Sequence, residues 1–445
     1  MPAPLVVAGA VLLCAATAVP PMARTLVFPP YGHSYGIRKA TGAHLFMFFG
    51  PSTSFDNPQG VTAVKMVSRD DPSTSKDDDE LTVYGVNAGR HELIYNTSMW
   101  TLGRFGRQGS GNGEFFHPRG IVAEPWGNVF VADSGNNRVV HLFNERRTVE
   151  WVRAYSAPLK EDNGFRGPQQ IALDEQCRIY VTDTGNRRIV VFDTAGTYSR
   201  VLTGGERPFE GGPTMLAIAD GTHRYSHYRS ERVLFCADRN GRRLWKIALD
   251  GKVLKQVSMP GHYRAGYAAT DYYHNLWVSD ITNHCILKFS RNLELLDVFG
   301  SYGKGDNEFN EPRGIAIWKR FGQTFIAERQ GAQYYWIGTD LRNPRLELLG
   351  DATLRLRGTV TEYSYVSLFM VEGSDTSAIA LRQFFSAGNV DRSFAIPPAL
   401  LPITGKSVLV RVEPTYSSYT YFEQMHPVPV TYVKEGPRET DRSRD

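Results

Sequence analysis

The residues whose type and spacing best suit ligand binding are Gln59, Arg119, Gln169, Thr214 and Arg313. Each follows a proline that opens a recurring run: PQGV, PRGIV, PQQIA, PTMLA and PRGIA. Gly266 holds the same place in a copy that begins at Ala265. Two guanidinium groups and two carboxamides meeting at one concave point would hold a carboxylate or a sugar through charge-assisted hydrogen bonds. The competing use is internal: Arg119 and Arg313 pairing with Glu328 or nearby aspartates. A second recurring set is acidic, with Asp133, Asp183, Asp238 and Asp280, and Glu328 in the last copy. Arg138, Arg188 and Arg243 stand at a constant distance beyond the first three, and Cys285 takes that place beyond Asp280. A side chain repeated in every unit suits a turn better than chemistry, because its task is the same wherever the unit recurs.

Other candidates are weaker. His117, His262 and His284 fall in loop sequence on one face, yet none has metal-ligand spacing, and a zinc site needs three ligands plus an open position. His223 and His227 lie in DGTHRYSHYRSER, where their spacing would share a helix face. The surrounding residues are those of a loop on the opposite face, so both are expected to be ordinary exposed histidines. The insertion SRDDPSTSKDDDE is acidic enough to attract calcium but lacks the alternating Asp ligands of a tight loop, and it reads as a solvated insertion. Asn96-Thr97-Ser98 is a glycosylation sequon in a eukaryotic host. No cofactor is expected from these residues.

The elements that must position them come from a repeat. PRGIVAEPWGNVFVADSGNNRVVHLF, PQQIALDEQCRIYVTDTGNRRIVVFD and PRGIAIWKRFGQTFIAERQGAQYYWIG are copies of one unit, and two more copies begin at Pro213 and Ala265. A degenerate copy starts at Pro58, and the closing acidic residue recurs at roughly 49-residue intervals. In each unit a short apolar run suits a strand buried on both faces, and the next run alternates β-branched and aromatic residues. Asp-Ser-Gly-Asn-Asn or Asp-Thr-Gly-Asn-Arg then turns the chain into a third, antiparallel strand, and a fourth follows, such as LELLDVFG. Four such strands cannot cover both of their own faces, so the units stack around an axis as the blades of an all-β propeller. His44–Phe49 resembles a fourth strand without its first three, and the copy from Pro312 has three strands without a fourth. Pairing the two predicts six blades closed by His44–Phe49.

These motifs resemble the NHL-repeat family, on PRGIV, GNVFVADSGNNRV and PRGIA, over about residues 44–340. The resemblance implies a six-bladed β-propeller; related propellers serve as lyases, hydrolases and binding platforms, so it does not choose among them. Peptidyl-glycine amidating lyases, which resemble this propeller, bind zinc through histidines, some in a Pro-His pair opening a repeat. Here the residue after that proline is never His.

Beyond Pro344 the repeat stops. ATLRLRGTV, YVSLFMVEG, AIALRQFF, RSFAIP and SVLVRVEPTY read as short strands, which predicts a small immunoglobulin-like β-sandwich. At the other end, Leu5–Val19 is apolar and uncharged, and Ala16-Thr17-Ala18 suits signal peptidase, although Met1-Pro2-Ala3-Pro4 carries no Lys or Arg. The expected organisation is a signal peptide (1–18), a linker (19–42), the propeller (43–340), the sandwich (345–432) and a disordered tail (433–445). Cys177, Cys236 and Cys285 lie in three different copies and read as free thiols. An aromatic fraction of 12% with 42 Gly and 25 Pro agrees with many short strands and tight turns. A formal charge of +4 spread along 445 residues argues against nucleic acid, which is met by concentrated positive charge. The function expected is a secreted or cell-envelope propeller that binds a protein, peptide or glycan on the face carrying Arg119, without catalysis. The alternative is a propeller lyase or lactone/ester hydrolase with a divalent metal in its channel.

Overall fold

The structure is a computed structural model that describes residues 26–27, 39–69, 81–98, 101–144, 147–156, 164–204, 209–350, 352–403, 406–415 and 423–433. The expected signal peptide, Cys14, most of the acidic insertion and residues 434–445 lie outside the described residues.

Five blades have four antiparallel strands each, in simple sequential order. Blade 2 is typical, with Pro118–Ala123, Asn128–Asp133, Arg138–Asn144 and Val149–Tyr155. Its second and third strands are almost wholly buried, because apolar side chains from adjacent blades interlock. Tyr84, Val86 and Leu93 of blade 1 share one cluster with Val131, Val140 and Leu142 of blade 2. Around the axis the first strands approach backbone to backbone. A Cβ on Gly120 would lie 2.6 Å from the Gln169 carbonyl oxygen, and one on Gly314 would lie 2.4 Å from that of Gln59. Glycine in the Pro-Arg-Gly opening is therefore a packing requirement, and it brings the preceding arginine to the axis.

Blade 6 consists of Ile315–Trp318, Gln323–Glu328 and Gly331–Ile337, and its outer position is filled from the N-terminal segment. The closing strand is not His44–Phe49. Leu26 pairs with Ile337, Val27 with Trp336, Lys39 with Gln333 and Ala40 with Ala332. Gly42–Phe49 is instead a helix: Thr41 and His44 cap its start reciprocally, and the Gly50 N–H closes its end on the Phe46 carbonyl. The expected linker thus contains the closing segment, and Leu26 is buried against Phe299, Phe309, Tyr335 and Ile337.

The C-terminal strands are numbered β1 (Leu341–Leu349), β2 (Thr353–Val360), β3 (Ser364–Glu372), β4 (Asp375–Phe385), β5 (Gly388–Ala395), β6 (Ser407–Pro414) and β7 (Gln424–Val433). Their order is β4-β3-β6-β7-β1-β2-β5. β7 is shared: its first half pairs antiparallel with β6 and its second half runs parallel to β1. The sheet thereby folds over one core, in which Leu346 and Leu356 meet Val366, Leu368 and Val410. This is a four-plus-three sandwich of immunoglobulin-like type. It begins at Leu341 rather than 345, because Leu341 already pairs with Val360 and is buried in that core.

The sandwich docks on blades 4 and 5. The rings of Tyr273 and Tyr363 stack at 3.9 Å, Lys288 Nζ lies 2.6 Å from Glu362 Oε2 with both side chains buried, and Arg342 pairs with Asp297 at 2.9 Å.

Candidate functional site

The recurring acidic residues build the frame. Asp133, Asp183 and Asp280 each accept a backbone N–H from the loop entering their blade, from Phe116, Arg166 and Arg264, all at 2.7 Å. Arg138 and Arg188 donate to Asp133 and Asp183 at 2.7 Å through Nε. Blade 4 departs: Asp238 accepts the Arg242 N–H at 2.9 Å, and Arg243 pairs with Glu210 instead. Glu328 accepts the Asn310 N–H at 3.4 Å in blade 6. In blade 1 Asn87 takes the role, accepting the Asp56 N–H at 2.7 Å and donating to Glu92 at 2.9 Å.

The histidines of this face serve the same frame. His91, Asn137 and His284 occupy left-handed positions and accept the N–H just before the next blade's first strand. His117 N–H reaches His91 Nδ1 at 3.0 Å, Gly167 N–H reaches Asn137 Oδ1 at 2.8 Å, and Glu311 N–H reaches His284 Nδ1 at 3.0 Å. Burial, then the neighbouring His117, holds His91 below the usual histidine range. Among the described residues no three His, Cys, Asp or Glu side chains are grouped to hold a metal ion.

At the mouth of the channel, Gln59, Arg119 and Arg313 gather around Tyr267, which stands where blades 1, 2 and 6 have glycine. The buried Tyr267 hydroxyl donates to Gln59 Oε1, across the width of blade 6. Arg119, exposed at its outer end, also hydrogen-bonds this phenol; burial raises the Tyr267 pKa, and Arg119 and Arg313 oppose the shift. Gln59 Nε2 donates to Asn57 Oδ1 at 2.9 Å. Arg313 bonds Asn57 and pairs with Glu311 at 2.6 Å, while Arg329 reaches the other oxygen of Glu311 at 2.8 Å. The internal partner of Arg313 is therefore Glu311, not Glu328 or the aspartates. Beside it opens a polar cavity of about 420 Å³ lined by Asn57, Glu311, Arg313 and Arg329. Thr214 turns away and donates to the Asp238 carbonyl at 3.1 Å; Gln169 is partly exposed, and Gly266 contributes no side chain. Tyr267 was missed from sequence, although alignment of the copies places it in the glycine column.

The opposite end of the channel holds the larger cavity, about 610 Å³. His223 lines it and is not an ordinary exposed histidine: its Nδ1 accepts the Tyr225 N–H at 2.9 Å, its Nε2 lies 3.8 Å from Glu175, and burial pushes its pKa down to about 4. His227 is exposed, as expected. The sequon residue Asn96 lies inside a strand, where its Nδ2 donates to the Leu81 carbonyl at 2.8 Å. Cys177, Cys236 and Cys285 are free thiols, the latter two buried. No described helix is long and apolar enough to cross a membrane.

No known family profile matches the chain. Over 99 residues it is 31% identical to NHL repeat-containing protein 3 of Mus musculus, a stretch covering 21% of this chain and 27% of that protein. The chain thus matches only about a quarter of the length of that curated relative. Among solved structures, a streptogramin B lyase has a TM-score of 0.43 at 13% identity, covering 64% of this chain and 95% of the other. Virginiamycin B lyase from Staphylococcus aureus has a TM-score of 0.41 at 16% identity, covering 57% and 77%. A gluconolactonase from Xanthomonas campestris has a TM-score of 0.43 at 11% identity, covering 71% and 99%. The repeat, the four-stranded blades and the closure around one channel make this chain a six-bladed β-propeller of the NHL type, carrying an immunoglobulin-like sandwich at its C-terminal end.

Proposed function

We propose that the chain is an exported binding protein, without catalysis, whose propeller captures a carboxylate-bearing peptide, protein or glycan at the mouth of the channel. One observation carries the reading: Arg119 sits exposed over the channel, steadied by the Tyr267 phenol, with Arg313 and Gln59 on the same phenol's other sides. Arg313 is already satisfied by Glu311 and shapes the site, whereas Arg119 is the group that meets the ligand. A guanidinium can take both oxygens of a carboxylate in one plane, and such a bond is worth roughly 1.5–3 kcal/mol. The sandwich then acts as a spacer or second contact surface.

The test uses peptides with free or amidated C termini, together with oligogalacturonates, titrated against the mature protein. Arg119→Ala should weaken binding of the free carboxylates about ten-fold or more, and Arg119→Lys should recover only part of the loss. Arg313→Ala should chiefly lower the melting temperature. Equal binding by parent and Arg119→Ala would sink this reading. Export is tested separately by intact mass from an exporting host, where the mature chain should begin at Val19.

A further inference from the structure

The end of the channel opposite Arg119 carries a second set of groups that neither the frame nor the proposed carboxylate site uses. There the first strands stop around the cavity of about 610 Å³, whose wall includes Trp126, Glu175, His223, Tyr225, Trp318 and Lys319.

Its apolar part is aromatic and open. Trp126 stands at the rim with 64% of its surface exposed, although its own backbone is held in a tight turn, its N–H donating to Glu124 at 3.1 Å. Tyr225 packs against Trp318 edge to face at 5.8 Å, and the Arg320 guanidinium lies over Tyr225, also at 5.8 Å. Together they offer rigid faces with polar edges.

Its polar part is unpaired. Among the described residues the Lys319 ammonium has no hydrogen-bond or ion-pair partner within 4.0 Å, yet it feels the charges of Glu175, Asp271 and Asp220. Two of those carboxylates are engaged elsewhere. Asp220 takes Arg232 and the Thr222 hydroxyl at 3.0 and 2.8 Å, and Asp271 takes the Trp277 Nε1–H at 2.8 Å. Glu175 is not neutralised in this way; its one close cationic-type neighbour is His223 Nε2 at 3.8 Å. Because His223 Nδ1 accepts a backbone N–H, the neutral ring carries its proton on Nε2, on the side of Glu175. Burial raises Glu175 and lowers Lys319, as expected for charges left without a direct partner.

A donor-only ammonium and an acceptor-only carboxylate that do not touch set a specific requirement. An anion would satisfy Lys319 but confront Glu175, and a cation would do the reverse. A hydroxyl both donates and accepts, so neighbouring hydroxyls can join the two groups. We propose that this bowl binds a neutral sugar unit of a glycan, its ring stacked on Trp126 and its hydroxyls bridging Lys319 and Glu175. The cavity lies in the size range of small-molecule sites.

The experiment is titration of the full mature protein with neutral hexasaccharides (cello-, xylo-, manno-, malto- and laminari-hexaose), followed by calorimetry and tryptophan fluorescence. Oligogalacturonate, oligolysine and free tryptophan serve as anionic, cationic and zwitterionic comparators. At least one neutral hexasaccharide should bind with a Kd below about 1 mM. Trp126→Ala should weaken it ten-fold or more without moving the melting temperature, since the indole is exposed. Lys319→Met should weaken it at least five-fold, and Arg119→Ala should leave it unchanged, which separates this site from the channel mouth. The proposal is overturned if no neutral hexasaccharide binds, if only a charged or zwitterionic comparator binds, or if binding survives Trp126→Ala and Lys319→Met together.

Discussion

Replacing Lys288 by Met should destabilise the junction between propeller and sandwich in a pH-dependent way. Lys288 Nζ donates to Glu362 Oε2 at 2.6 Å and lies 4.6 Å from the Trp277 ring centre. The Glu362 side chain is fully buried, and its other oxygen accepts the Tyr363 N–H at 2.8 Å. Burial pushes its pKa up to about 7, against the opposing pull of Lys288. A carboxyl raised in the folded state binds a proton there that the unfolded chain has already released. Stability therefore falls as pH rises from about 4.5 to about 7 in the parent and is flat above. Without Lys288 the carboxyl stays protonated to higher pH, so the fall continues. At pH 8.5 the added loss is about 1.4 kcal/mol per unit over about 1.5 units, or about 2 kcal/mol, on top of about 1 kcal/mol for the lost hydrogen bond. At pH 5.5 only that smaller part remains. Urea melts of parent and Lys288→Met at both pH values measure the gap. Adding Glu362→Gln to Lys288→Met should abolish its pH dependence. A gap that is the same at pH 5.5 and 8.5, or below 1 kcal/mol at pH 8.5, would refute the reasoning.

Two further outcomes follow from other parts of the molecule. A chain starting at residue 42 should melt well below one starting at residue 19, because it loses the partners of the blade 6 edge at Leu26, Val27, Lys39 and Ala40; Leu26→Ala alone should cost about 2–5 kcal/mol, and equal melting of both chains would contradict the closure. Burial pushes the Glu231 pKa up, but His274 and Lys246, at 2.8 and 2.5 Å, outweigh it and hold it at about 2. Glu231 therefore contributes about 3 kcal/mol that is present above about pH 4.5 and lost as pH falls towards 2, so the gap between parent and Glu231→Gln in urea melts should close on acidification.

The repeat made most of the propeller legible, because its signals are local. Alternating β-branched and aromatic runs, turn residues and the recurring aspartate each act within one unit, and the structure gives Asp133, Asp183 and Asp280 the turn-building role their repetition implied. The closure was misread for the same reason. His44–Phe49 shares its surroundings with a strand boundary, but the reciprocal cap between Thr41 and His44 winds it into a helix. The true closing strands are two residues long, too short to carry any periodicity, and only the open edge of Gly331–Ile337 selects them. The sites depended still more on tertiary structure. Gln59, Arg119, Tyr267 and Arg313 come from four blades, and the groups of the opposite bowl come from blades 2, 3, 4 and 6. Sequence spacing determined which residue types each blade brings to the axis. Which of them touch, that Glu311 would claim Arg313, and that Lys319 and Glu175 would face each other without pairing were decided only when the ring closed and long-range neighbours set the distances.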